Sequence, residues 1–148
     1  VERGRSVDDC RVDRFVGDAV VVDVRGQDVI DLGEPCTCDA DMLFFRTGHA
    51  EGARGRGSGY HHGGTPVISE RTAEALVETG VGVVGIDAPS PDRAPYPVHD
   101  KLLGNDVVIL ENLVNLGAVV DGRFLCYALP LNVVGGGGAP CRVVGVLE

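Results

Sequence analysis

Apolar positions in this chain come in short runs, and the spacing inside each run changes from extended to helical and back. Residues 18–24 hold Ala19, Val20, Val21, Val22 and Val24 without a glycine or proline, which predicts a buried strand. Residues 42–46 predict a second strand that leads into Thr47-Gly48. Residues 28–41 between them are polar and interrupted by Pro35, reading as a loop or a short helix. Ala73, Leu76 and Val77 then recur at helical spacing, with Ser69 placed as an N-cap and Thr79-Gly80 as the stop. Apolar strands follow at residues 81–86, 107–110, 123–130 and 141–147, with a short helix at 99–104 and a helical turn at 113–116. Strand, helix, strand order of this kind predicts an α/β domain. Neither an internal repeat nor a domain boundary interrupts residues 1–148.

Two stretches stand apart from this pattern. Residues 48–64 contain seven glycines, Arg54, Arg56 and the histidines His49, His61 and His62, and read as a long surface loop. Residues 135–138 are four glycines that neither follow a G-x-x-x-x-G-K pattern nor open a helix, so they predict a flexible connection and not a phosphate cradle.

Composition narrows the partners. Thirteen Lys plus Arg against 22 Asp plus Glu give a net charge of −9, which disfavours nucleic acid, whose binding draws on cationic side chains. No apolar stretch approaches the ~20 residues of a membrane-spanning helix. At 148 residues and 44% hydrophobic content the chain can build a core without disulfides. Its five cysteines, Cys10, Cys36, Cys38, Cys126 and Cys141, are an odd number and lack zinc-ribbon spacing, so they read as small buried hydrophobes. A cytoplasmic setting is the corresponding expectation. Val1 stands where an initiator methionine would, and residues 1–9 read as a connector, which predicts further sequence upstream.

Candidate chemistry gathers at strand ends. Asp87 and Glu111 each finish an apolar strand, where an unpaired carboxylate is costly to bury. His99 opens a helix after the stiff segment Pro95-Tyr96-Pro97-Val98. Active groups in α/β sheets collect beyond the carboxyl ends of strands, so Asp87, His99 and Glu111 form one expected cluster. Imidazole plus carboxylate suits Zn²⁺ or Mn²⁺, although three or four protein ligands are usual. A capping histidine and a salt-bridged glutamate is the alternative. Arg46 could orient a substrate carboxylate through its guanidinium fork or form a salt bridge, while Asp87 could fix its loop through Ser90.

Several segments in order resemble the cyclase family, which includes bacterial kynurenine formamidase and isatin hydrolase. They are Gly85-Ile86-Asp87-Ala88-Pro89-Ser90, Val98-His99-Asp100-Lys101-Leu102-Leu103, Ile109-Leu110-Glu111-Asn112-Leu113 with Asn115-Leu116, Ala128-Leu129-Pro130-Leu131 and Ala139-Pro140-Cys141-Arg142. Phe45-Arg46-Thr47-Gly48 and residues 15–23 match as well. The resemblance implies a single α/β domain with a mixed central sheet and flanking helices, of the swivelling β/β/α type. It further implies a hydrolase that opens a formamide or cyclic amide with a water activated by Zn²⁺ or Mn²⁺, in a homodimer or homotetramer. By the same resemblance His99 and Glu111 are metal ligands. Arg46, His61 and His62 are expected near the substrate, His61 and His62 with an exposed loop pair as the alternative.

One departure from the family is large. Its H-x-G-T-H-x-D-x-P-x-H motif, source of the other ligands and a catalytic histidine, is not among these residues. The motif was removed, or comes from another polypeptide, or the chain is a catalytically incomplete remnant that serves as a binding or oligomerisation module.

Overall fold

Asp41 marks the point from which two neighbouring strands start. Its carbonyl accepts the backbone N–H of both Gly82 (2.9 Å) and Val83 (3.2 Å). In the computed structural model, which describes residues 4–33, 39–53, 64–120 and 122–147, single-turn 3₁₀ helices at Val7–Asp9 and Val12–Phe15 lead into β1 (Val16–Asp23). The chain continues through β2 (Val29–Ile30), β3 (Met42–Arg46), α1 (His49–Ala53), β4 (Val67–Ile68), α2 (Glu70–Thr79), β5 (Val83–Ile86), α3 (Pro97–Gly104) and β6 (Val108–Leu110). A 3₁₀ turn at Leu116–Ala118, β7 (Arg123–Tyr127) and β8 (Val144–Val146) complete it.

Six strands form one mixed sheet in the order β6-β5-β3-β1-β7-β8. The first four run parallel, whereas β7 is antiparallel to β1 and β8 to β7. Strand β3 lies at the centre with Met42, Leu43, Phe44 and Phe45 all buried, as a strand covered on both faces requires. Leu43 and Phe45 face one side, packing with Ala73 and Leu76 of α2 and Val98 and Leu102 of α3. Met42 and Phe44 face the other, where Leu110, Leu113, Leu116 and Phe124 join them. Helices α2 and α3 thus cover one face, and the segment around Leu113 and Leu116 contributes to the cover of the other.

Close approach fixes Gly85. A Cβ on this residue would stand 2.5 Å from Cδ1 of Phe44 and 2.6 Å from Cδ1 of Leu113. Gly85→Val is therefore expected to destabilise the chain by about 1–3 kcal/mol through overpacking, read as a lower urea midpoint.

Helix α2 has the predicted ends. Ser69 Oγ accepts the Thr72 N–H at 3.1 Å, and Gly80 closes the helix in the left-handed region at φ 78°. Elsewhere tertiary pairing moves the boundaries. Residues 81–82 lie ahead of β5, whose pairing with β3 begins at Val83 opposite Met42, while the Gly82 N–H bonds the Asp41 carbonyl just before β3. Strand β8 is three residues long, since it pairs only with Leu125, Cys126 and Tyr127, and an isolated bridge joins Pro130 to Cys141. The helical turn expected at 113–116 forms instead at Leu116–Ala118, after Asn115 in the left-handed region at φ 63°.

Two loops are more ordered than their composition predicts. Residues 28–41 contain β2, whose Val29 and Ile30 pair in parallel with Val67 and Ile68 of β4. The stretch 48–64 opens with α1. Its remaining histidines, His61 and His62, and Cys36 and Cys38 of the earlier loop, lie outside the described residues. No helix among the described residues is long and apolar enough to cross a membrane.

Candidate active site

Helix α3 has no side-chain cap of its own. Tyr96 at its N-cap position makes no capping bond, and Pro97 at the first turn has no N–H to donate. Asp92 takes over that role from outside the helix, its Oδ2 accepting the N–H groups of Val98 (2.7 Å) and His99 (3.0 Å). The other oxygen of Asp92 lies 2.6 Å from Nδ1 of His99. One carboxylate, 5% exposed, thus holds both the first turn of α3 and the imidazole that the turn carries.

On the far side of the ring, Nε2 of His99 faces Oε1 of Glu111 at 3.5 Å. Glu111 follows β6 directly, and its neighbours pin the chain there: Asn112 N–H donates to the Ala88 carbonyl (3.0 Å) and Leu113 N–H to that of Ile86 (3.1 Å). His99 therefore sits between two carboxylates, its ring at 82° to that of Tyr96 with centroids 5.7 Å apart. Two hollows meet at this pair, each lined in part by His99, Leu103 and Glu111. One of about 670 Å³ extends over Phe15, Leu113 and Cys141, and one of about 720 Å³ over Pro89, Arg93 and Tyr96.

Glu111 first, and Asp92 after it, lift the imidazole pKa above its ordinary 6.5, while partial burial pulls it down. A raised histidine pKa adds stability that is fully present below 6.5 and disappears as pH rises through the folded-state value. In chelator-treated protein, His99→Gln is accordingly expected to cost more stability at mildly acidic than at alkaline pH. Urea titrations of both proteins at the two pH values check this, and an equal cost at both would contradict it.

Of the three strand-end residues expected to cluster, His99 and Glu111 come together and Asp87 does not join them. Asp87, 4% exposed, accepts from Thr47 N–H (2.8 Å), Thr47 Oγ1 (2.6 Å) and Gly48 N–H (2.9 Å), and lines neither hollow. Its loop partner is Thr47 and not Ser90; the Ser90 hydroxyl accepts the Asp92 N–H instead, at 3.4 Å. Arg46 is paired with Asp23 (3.0 Å) and Glu51 (2.8 Å), the salt-bridge alternative, and its guanidinium crowds Gly117, where a Cβ would stand 2.9 Å away. His49 begins α1, with its N–H donating to Thr47 Oγ1 at 3.1 Å.

Asp92 is the site residue that sequence reasoning missed. An acid a few residues ahead of a helix that lacks Ser, Thr, Asp or Asn at its N-cap is the signal that could have found it.

With this geometry in view, the family follows from comparison. The Cyclase family model matches residues 1–93. The chain belongs to the cyclase family. A kynurenine formamidase of Salinibacter ruber is 36% identical over 149 residues, covering 96% of this chain and 68% of that protein. Isatin hydrolase A from Ralstonia solanacearum superposes with a TM-score of 0.81 at 25% identity, covering 99% of this chain and 65% of that one. A structure described as a potential metal-dependent hydrolase with cyclase activity gives a TM-score of 0.74 at 28% identity, over 91% of this chain and 67% of that one. This cyclase chain thus spans about two thirds of the length of the relatives it matches.

The donor set of the pair suits a divalent metal. An imidazole nitrogen and a carboxylate oxygen face each other, and the second ring nitrogen is engaged by a buried carboxylate, the usual arrangement of a metal-binding histidine. Among the described residues no group of three or more His, Cys, Asp or Glu side chains is arranged to hold a metal ion, so the pair by itself offers two donors.

Proposed function

We propose that this chain carries part of the active site of a metal-dependent amide hydrolase, with His99 Nε2 and the Glu111 carboxylate as ligands of Zn²⁺ or Mn²⁺. The observation that carries the reading is the facing of these two donors at 3.5 Å where two hollows meet. The relatives' names support the substrate class, since one is a formamidase and another hydrolyses isatin, a cyclic amide. A divalent ion bound here would acidify a water molecule and polarise the carbonyl it attacks.

The chain's own residues do the rest. His99 presents Nε2 from a ring held by Asp92, and Glu111 presents its carboxylate from the end of β6. Phe15, Leu103 and Leu113 are among the apolar side chains lining one hollow, and Tyr96 stands exposed beside His99 in the other, surfaces suited to an aromatic amide. The same reading expects a homodimer or homotetramer, supported by apolar side chains left exposed near the carboxyl end, among them Leu131 (62%), Val134 (85%) and Leu147 (58%).

The test is metal analysis together with an assay of an N-formyl arylamine and a cyclic amide, on the protein as its gene encodes it. Bound divalent metal and turnover that stops on chelation are expected. Protein that retains no divalent metal and hydrolyses neither substrate would overturn the reading and leave a binding or oligomerisation module.

A further inference from the structure

We infer that Asp92 is a positioning residue which sets the tautomer of His99, keeping the proton on Nδ1 and the Nε2 lone pair free toward Glu111. As it concerns how His99 acts as a ligand, its functional meaning rests on the reading above, although the tautomer itself does not.

Asp92 is immobilised from several directions. Oδ2 is occupied by two backbone N–H groups of α3, so the carboxylate cannot rotate without uncapping the helix. The chain on either side is tied down: the Pro91 carbonyl accepts from Ile68 of β4 at 2.7 Å, and the Arg93 guanidinium donates to the Thr65 carbonyl at 2.6 Å. What remains is Oδ1, buried and aimed at Nδ1 of His99 at 2.6 Å.

A neutral imidazole has one N–H to place. Asp92 offers an acceptor at 2.6 Å, within hydrogen-bond range, whereas Glu111 stands at 3.5 Å and is about one-third exposed. The shorter, buried, charge-assisted bond wins the proton. Nε2 is then the nitrogen with the lone pair, and it is the one that faces Glu111. Coupling the ring to the same carboxylate that caps α3 also ties the direction of the lone pair to the helix axis.

Asp92→Asn separates the two roles. The amide oxygen can still accept from the Val98 and His99 N–H groups, and the amide NH₂ then points at Nδ1, which must become an acceptor. The cap survives and the tautomer inverts.

The experiment is ¹⁵N-edited NMR of the histidine rings in metal-free protein at alkaline pH, with Zn²⁺ affinity measured separately by competition with a chelating dye. Wild-type protein is expected to show His99 protonated at Nδ1, and Asp92→Asn to show it at Nε2. Nε2–H in the wild type, or an unchanged tautomer in a folded variant, would overturn the proposal, and the wild-type spectrum decides even if the variant fails to fold. Zn²⁺ affinity is expected to fall about 10–100-fold in the variant. An inverted tautomer with unchanged Zn²⁺ affinity would uphold the role of Asp92 and instead remove His99 from the ligand set.

Discussion

Glu111→Gln is expected to abolish amide hydrolysis while leaving the fold intact. The carboxylate is about one-third exposed at the end of β6, outside both hydrophobic clusters, so an amide of the same shape fits without repacking. What changes is charge. Gln offers a divalent cation a neutral carbonyl oxygen where Glu offers an anionic one, and the loss should exceed the ~10–100-fold that removing an outer-shell partner of a metal ligand costs. Metal content, kcat/KM and the urea midpoint, measured on the same preparation, check the prediction. Wild-type activity in Glu111→Gln would show that the carboxylate only pairs with His99.

Asp87→Ala is expected to have the opposite profile, a large loss of stability with no direct effect on metal affinity. Its carboxylate is the acceptor for the N–H groups of Thr47 and Gly48 and for the Thr47 hydroxyl, all within 2.6–2.9 Å in a buried setting. Truncation leaves one buried and one partly buried backbone donor without that acceptor, at about 1–3 kcal/mol for a buried one, and a cost of roughly 2–4 kcal/mol follows. Denaturant titration measures it, and metal binding by the folded fraction should match wild type. A stable Asp87→Ala protein that had lost its metal would place Asp87 among the ligands after all. These two substitutions distinguish strand-end carboxylates that the sequence presents in the same way, one committed to a turn and one facing an imidazole.

The elements legible in the sequence are those whose signals are local. Strand β3 matches its expected bounds because four consecutive large apolar side chains end on Arg46 before Thr47-Gly48. Helix α2 matches because Ser69 and Gly80 punctuate it. Strands β2 and β4 escaped notice because each is two residues long and exists through pairing across 38 positions, Val29 with Val67. Helix α1 was hidden in a glycine-rich stretch whose composition predicts a loop.

At the site the same distinction holds. His99 and Glu111 were visible as residue types at an element start and a strand end, and the family resemblance joined them. Asp92 left only a faint signal, an acid ahead of a helix without a capping side chain, because the bonds from one oxygen to the ring and from the other to the helix backbone are set by tertiary geometry. Asp87 was legible as an acid that fixes a loop, but its partners were not, because Thr47 and Gly48 are 40 and 39 positions away.

Anomalous diffraction at the zinc edge, from crystals of the protein equilibrated with Zn²⁺, tests whether His99 and Glu111 hold one divalent ion. A peak about 2.0–2.2 Å from both His99 Nε2 and a Glu111 carboxylate oxygen is the predicted result. Zinc bound elsewhere, with His99 and Glu111 still facing each other as an ion pair, would contradict it.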